Sequence, residues 1–104
     1  MSARKTNYTN NAQQRILKVL LALFGNEFAG LSVTEISKQL TLSMPNVVRD
    51  LDNLHTAGLA EQDQVTGRWR LTPRLPQKAL VMLSALESAQ TRLDETRNRY
   101  TRHS

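Results

Sequence analysis

Two helix-start signals stand close together in the middle of the chain, and they constrain its fold more than any other feature. Ser32 is followed three residues later by Glu35, the spacing of a capping box, in which each side chain accepts a hydrogen bond from the other residue's amide. Ser43 precedes Pro45, and proline is tolerated in the first turn of a helix because no amide partner is lost there. The two signals predict two consecutive helices separated by a short turn at Thr41.

A further helix is predicted before this pair. Asn10 or Asn11 can cap its beginning, and Gly25 with Asn26 is a typical helix end. The apolar residues between them are Ile16, Leu17, Val19, Leu20, Leu21, Leu23 and Phe24. Because they occur around most of the helix cylinder, we expect this helix to be buried on most sides.

A small hairpin is predicted after the third helix, which ends at Gly58. Residues 59–63 and 68–72 have the composition of two strands, joined by a turn that contains Gly67. Cationic and apolar side chains alternate in the second strand, so one of its faces is expected to be apolar and the other cationic. The alternating residues are Arg68, Trp69, Arg70 and Leu71.

The C-terminal part of the chain carries a separate signal. Pro73 and Pro76 are expected to bracket a short linker, and residues 77–100 contain no glycine or proline and are predicted as one long helix. Residues spaced alternately four and three apart form a heptad seam, which is typical of self-associating helices. They are Leu75, Ala79, Met82, Leu86, Ala89, Leu93, Thr96 and Tyr100. We expect a homodimer; the alternative is a single amphipathic helix folded back on its own domain.

Together these elements predict a mainly α fold with a small β-hairpin: a winged helix-turn-helix followed by a long C-terminal helix. We expect residues 1–10 to form a flexible basic arm, residues 11–73 the winged helix-turn-helix domain, and residues 74–104 the dimerisation helix and tail. A chain of 104 residues has room for one such domain and one extra helix.

Charge favours an acidic partner. The chain has 14 Lys and Arg against 9 Asp and Glu, a net charge of +5, and nucleic acid is the commonest soluble acidic partner. The excess lies at the two ends, since residues 31–73 hold four basic and five acidic side chains. The chain has no cysteine, no apolar run that could span a bilayer and no secretion signal at its start, so a cytoplasmic location without membrane association is expected.

Residues 15–73 resemble the DNA-binding domain of IclR-type regulators. The matching marks are Leu31-Ser32-x-Thr34-Glu35-Ile36, Leu40-x-Leu42, Arg49-x-Leu51-x-x-Leu54, Ala57-Gly58-Leu59 and Gly67-Arg68-x-Arg70-Leu71. IclR-type proteins also carry a large C-terminal effector-binding domain, for which this chain has no room, so we expect no small-molecule effector.

Three positions depart from the family pattern. Thr41 stands where the family often has glycine, and a β-branched residue resists a positive φ, so we expect this turn to differ. Asp50 stands where leucine is frequent, and Val48 where histidine is frequent. We therefore expect the third helix to be slightly rotated or to make different contacts.

The resemblance implies a transcriptional regulator that binds double-stranded DNA, with residues 43–56 as the recognition helix in the major groove. Asn46 has the groups to pair with adenine, and Arg49 those to pair with guanine or a phosphate, while Met44 or Val48 can contact a thymine methyl. The wing, residues 60–72, is expected on the DNA backbone or in the minor groove. The predicted DNA-binding residues are Ser43, Met44, Pro45, Asn46, Arg49, Asn53, Arg68 and Arg70.

Some neighbouring residues have competing roles. Ser43 is expected to serve mainly as the helix cap, and Trp69 to belong to the core rather than to a stacking platform. Asp50 and Asp52 would repel phosphates, so we expect them to point away from DNA. Additional phosphate contacts are expected from Arg4, Lys5 and Lys38.

Other function classes are less well supported. The only histidines are His55 and His103, and we find no catalytic cluster, phosphate loop or zinc-ligand spacing, so no enzyme activity, cofactor or metal is expected. His55 is expected at a helix end, where the dipole favours its charge. Two alternatives remain open: a DNA-packaging or recombination adaptor of a phage or mobile element, and a winged-helix protein-interaction module.

Overall fold

A computed structural model describes residues 7–102 of the chain, so the predicted phosphate contacts of Arg4 and Lys5 lie outside the described residues. Its elements occur in the predicted order of three helices, a hairpin and a long helix, which confirms the mainly α fold class. They are α1 (Asn11–Ala22), α2 (Val33–Leu40), α3 (Met44–Thr56), β1 (Ala60–Gln62), β2 (Trp69–Leu71) and α4 (Arg74–Thr101). The chain divides into two compact units between Thr72 and Pro73.

Helix α1 is buried on one side only, and the expectation that it is buried on most sides is wrong. Val19 and Leu23 are fully buried, whereas Leu17 is 51% and Leu21 67% exposed. Two residues advance a helix by about 200°, so the exposed pair lies opposite the buried pair. Within the first unit α1 packs against α2 and α3, and these cover its inner face alone.

The turn between α2 and α3 adopts the left-handed conformation that Thr41 was expected to resist. Thr41 has φ 55° and ψ 51° and forms the C-cap of α2. Ser37 compensates for the strain, because its carbonyl accepts from the amides of Thr41 and Leu42 and its hydroxyl donates to the carbonyl of Leu42. Hydrogen bonding of the helix end therefore overrides the β-branched preference at this position.

Helix α3 begins as the sequence predicts. Ser43 caps it by accepting from the amide of Asn46, and Pro45 lies in the first turn. Val47, Leu51 and Leu54 are buried in the core of the first unit. The helix ends at Thr56, two residues before Gly58, which has a positive φ of 79°.

The hairpin is shorter than predicted, with three residues in each strand. Its strands are antiparallel, with Ala60 opposite Leu71. Trp69 also exchanges two backbone hydrogen bonds of 2.8 Å with Leu31, which ties the wing to the segment before α2. Gly30 permits this approach, because a Cβ on it would lie 2.6 Å from the carbonyl oxygen of Trp69.

Helix α4 begins at Arg74, so the linker expected between Pro73 and Pro76 is wrong. Pro73 is the N-cap residue, and Pro76 lies in the first turn, where the amide has no helical acceptor to lose. None of the helix's residues is buried. In the described part of the chain, no helix is both long enough and apolar enough to cross a membrane.

Candidate nucleic-acid interface

The first turns of α3 present the residues predicted to contact DNA bases at the surface. Arg49 and Asn53 are exposed and Asn46 is half-buried. The hydroxyl of Ser43 accepts from the amide of Asn46 at 3.3 Å, so this hydroxyl serves the helix cap. Met44 and Pro45 are also exposed at this end of the helix.

Hydrogen bonds along the helix join three of these residues. The Nη1 of Arg49 donates to the Oδ1 of Asn46 at 2.8 Å, one turn earlier. The Nδ2 of Asn53 donates to the backbone carbonyl of Arg49, also at 2.8 Å. Arg49 makes no ion pair within residues 7–102, so its positive charge is available to a ligand.

A groove of about 850 Å³ runs between α3 and the wing. Met44, Pro45, Val48 and Trp69 supply apolar surface to it, and the carboxylates of Asp52 and Glu61 stand among its lining residues. The lining residues are Met44, Pro45, Val48, Arg49, Asp52, His55, Glu61, Gln62, Gln64 and Trp69. The groove is therefore less basic than a surface built for phosphates alone.

Arg68 is hydrogen-bonded to other residues of the same domain. Its Nε donates to the carbonyl of Ala29 at 2.9 Å, and its Nη2 donates to the carbonyl of Gly30 at 3.0 Å and to Glu35 at 2.7 Å. Glu35 is also the acidic member of the capping box that the sequence predicted. Hydrogen bonding from the Ser32 amide, and then the charge of Arg68, lower the pKa of Glu35.

Arg70 is paired with two carboxylates of the hairpin. Its Nε donates to Glu61 at 2.8 Å and its Nη1 to Asp63 at 3.4 Å, and the hydrogen bond with Glu61 raises the pKa of Arg70. The backbone amides of Thr66 and Val65 lower the pKa of Asp63. The strand face that was expected to be cationic thus carries ion pairs, because acidic residues of α2 and β1 lie against both wing arginines.

Asp50 has a role that sequence reasoning missed. It is only 3% exposed and accepts two hydrogen bonds from Arg15 of α1, at 2.7 and 2.8 Å. This bidentate pair raises the pKa of Arg15 and explains why α3 carries an aspartate where leucine is frequent. The signal was present, since Asp50 lies three residues after Val47 on the apolar row, and Arg15 lies four residues before Val19 on the inner row of α1.

His55 and Trp69 meet at the C-terminal end of α3, where His55 was expected. Their ring centroids are 6.4 Å apart in an edge-to-face arrangement, and the Nδ1 of His55 lies 3.2 Å from the carbonyl oxygen of Ala60. Trp69 is half-buried, and its Nε1 is buried without a hydrogen-bond partner. Within residues 7–102, no cluster of three acidic or histidine side chains is arranged to hold a metal ion.

The predicted seam of α4 lies at the surface along nearly its whole length. Leu75 is half-buried, and the other seven seam residues are exposed, with Leu86 at 63% and Leu93 at 55%. Leu80, Val81 and Leu83 are also exposed near the start of the helix.

Comparison with known proteins identifies the class of the domain. Neither a protein-family model nor a curated protein sequence matches this chain. Among solved structures, it is similar to an IclR family transcriptional regulator from Brucella abortus, with 26% identity and a TM-score of 0.64 over 81% of this chain. HmgR of Pseudomonas aeruginosa matches 75% of this chain at 20% identity, also with a TM-score of 0.64.

A third solved structure, from a different kind of protein, has a similar fold. The Z-DNA-binding Zalpha domain of ORF112 from Cyprinid herpesvirus 3 matches 58% of this chain and 95% of its own length, with 22% identity and a TM-score of 0.52. The chain spans about a third of the first two proteins, namely 32% and 33% of their lengths. The domain is therefore a winged helix-turn-helix. Its resemblance to the DNA-binding domain of IclR-type regulators is confirmed.

Proposed function

We propose that this chain binds double-stranded DNA through α3 and acts as a transcriptional regulator. The observation that carries the proposal is the position of the exposed Arg49 and the half-buried Asn46 on the N-terminal half of α3, the part of a recognition helix that meets base edges. The structural similarity to an IclR family transcriptional regulator and the net charge of +5 support it.

In this proposal the wing mainly positions the domain on the DNA backbone. Arg68 and Arg70 each use Nε and one terminal nitrogen for contacts inside the domain, so the other terminal nitrogen is the one to meet a phosphate. Such contacts raise affinity without reading sequence. Lys38, which is exposed at the end of α2, adds to them.

Binding to a duplex at increasing salt concentration tests the proposal. Fluorescence anisotropy with a labelled duplex should give an affinity that falls steeply as salt rises, because each neutralised phosphate releases counterions. Selection of bound duplexes from a random pool should then return a preferred sequence. Absence of binding at low salt would reject the DNA-binding proposal, whereas binding without a preferred sequence would reject only its specificity.

We further propose that α4 pairs with α4 of a second copy. A heptad seam is self-complementary, and the exposed Leu86 and Leu93 are its central anchors. A homodimer would present two recognition helices to a palindromic site. Leaving this much regularly spaced apolar surface in water is unfavourable, and pairing removes it.

Light scattering tests the pairing. The wild type should have the mass of a dimer at tens of micromolar. Replacing both Leu86 and Leu93 with Glu should give monomers, because charges would enter the apolar seam. Ser84→Glu is the matched control, since Ser84 is exposed outside the seam. A monomeric wild type would refute the pairing, and a larger ring would favour the packaging-adaptor alternative.

A protein-interaction module is the second candidate function, and the groove between α3 and the wing favours it. The apolar surface of Val48 and Trp69 and the carboxylates of Asp52 and Glu61 suit a peptide with apolar and basic side chains. Failure to bind duplex DNA at low salt, together with peptide binding that Val48→Arg abolishes, would support this function over the first.

A further inference from the structure

The hydrogen bond between Asn46 and Arg49 changes the way α3 would read DNA. An asparagine that reads adenine uses both ends of its amide: Oδ1 accepts from the adenine N6 amino group, and Nδ2 donates to N7. In this structure the Oδ1 of Asn46 already accepts from the Nη1 of Arg49, at 2.8 Å. The acceptor half of the amide is thus directed at a neighbour on the same helix.

Arg49 keeps the two parallel N–H donors that a bidentate contact with guanine requires. Guanine presents two acceptors, O6 and N7, to a pair of parallel donors. A guanidinium has five N–H groups, and Asn46 engages one of them through Nη1, so the Nε and Nη2 donors remain as a fork. The wing arginines differ, because Arg68 and Arg70 direct both Nε and a terminal nitrogen to groups within the domain.

Asn46 is itself well placed to hold another side chain. Its backbone amide donates to the Ser43 cap, which fixes it in the first turn of α3, and the residue is half-buried. Arg49 is exposed, and its flexible side chain would otherwise lose rotamer freedom on binding. A hydrogen bond formed before DNA arrives reduces that loss.

We infer that Asn46 is a positioning residue, which orients Arg49 for a bidentate contact with guanine, and that it does not read adenine itself. This inference rests on the proposed DNA-binding function and specifies it: the preferred site contains one G·C pair, read by Arg49 with the support of Asn46. The amide of Asn53 is turned to the backbone carbonyl of Arg49 and has no part in reading that base pair.

The test is a selection from a random duplex pool with the full chain, carried out for the wild type, Asn46→Ala, Arg49→Ala and the double variant. Both single variants should relax the preference at the same G·C pair, by roughly tenfold or more in the ratio of cognate to substituted site. The double variant should be no less selective than Arg49→Ala alone, because Asn46 acts through Arg49. Asn98→Ala is the control, since Asn98 is exposed on α4 outside the predicted DNA-binding residues, and this variant should keep the preference.

Asn46→Asp separates positioning from direct reading. A carboxylate still accepts from Arg49 but cannot donate to adenine N7, so the guanine preference should survive while overall affinity falls through repulsion from phosphates. Circular dichroism and thermal unfolding of each variant identify any loss of selectivity that comes from misfolding. The inference is overturned if Asn46→Ala alters a separate A·T position and leaves the Arg49 position unchanged. If the wild type binds no duplex at all, the DNA-binding proposal itself fails, which is a distinguishable result.

Discussion

The ion pair between Arg15 and Asp50 makes a sharp prediction about stability. Asp50 is 3% exposed and accepts both of its hydrogen bonds from Arg15. Asp50→Leu should therefore leave a guanidinium beside an apolar side chain in the contact between α1 and α3. The chain should become less stable although a more hydrophobic residue has entered the core.

The expected size follows from the geometry. Removing one partner of a fully buried ion pair costs about 3–5 kcal/mol. The side chain of Arg15 is 19% exposed and can turn partly toward water, so we expect a loss of about 2–3 kcal/mol for Asp50→Leu. With a urea slope of about 1 kcal/mol per molar, the unfolding midpoint should fall by about 2–3 M.

Two further variants make the reasoning testable. Arg15→Met combined with Asp50→Leu replaces the whole pair with apolar side chains and should recover stability to within about 1 kcal/mol of the wild type. Asp52→Leu is the matched control at an exposed neighbouring position and should change stability by no more than about 0.5 kcal/mol. Urea unfolding at one fixed chain concentration measures all three. An Asp50→Leu variant as stable as the wild type would refute the burial argument.

Three other variants probe the backbone and the helix cap. Thr41→Gly should raise the free energy of unfolding by about 0.5 kcal/mol, since glycine removes the left-handed strain but adds chain entropy, and a lower thermal midpoint would contradict this. Gly30→Ala should lower it by about 1–3 kcal/mol, because the new Cβ meets the Trp69 carbonyl, and unchanged urea unfolding would show that the wing can shift freely. Hydrogen bonding from Ser32 lowers the pKa of Glu35, so its ionised form adds stability above the unfolded-state pKa of about 4.3, and this is lost as pH falls through the lowered value. Glu35→Gln should therefore lose less stability on acidification, and parallel acid-unfolding curves for the two proteins would contradict that assignment.

The local pattern of the sequence determined where the elements of the domain begin. Ser32 with Glu35, and Ser43 with Pro45, are helix starts whose partners lie within one turn, so spacing alone predicts them correctly. The hairpin was also predictable, because alternation and turn residues are local signals, although its strands are shorter than expected. Pro76 is the local exception, because it was expected to border a linker and lies instead in the first turn of α4, where a proline loses no helical hydrogen bond.

Tertiary structure decided which basic side chains remain without an ion pair and which apolar side chains remain exposed. Nothing local distinguishes Arg49 from Arg68, yet the segment before α2 lies against Arg68 and engages it, while Arg49 keeps its charge unpaired within residues 7–102. The outer side of α1 is exposed for the same kind of reason, since Leu21 is as apolar as Leu23 and only the placement of α2 and α3 makes one of them core. Periodicity fixes the faces of a helix, but the contacts between residues distant in sequence choose the face that is covered and the charges that are paired.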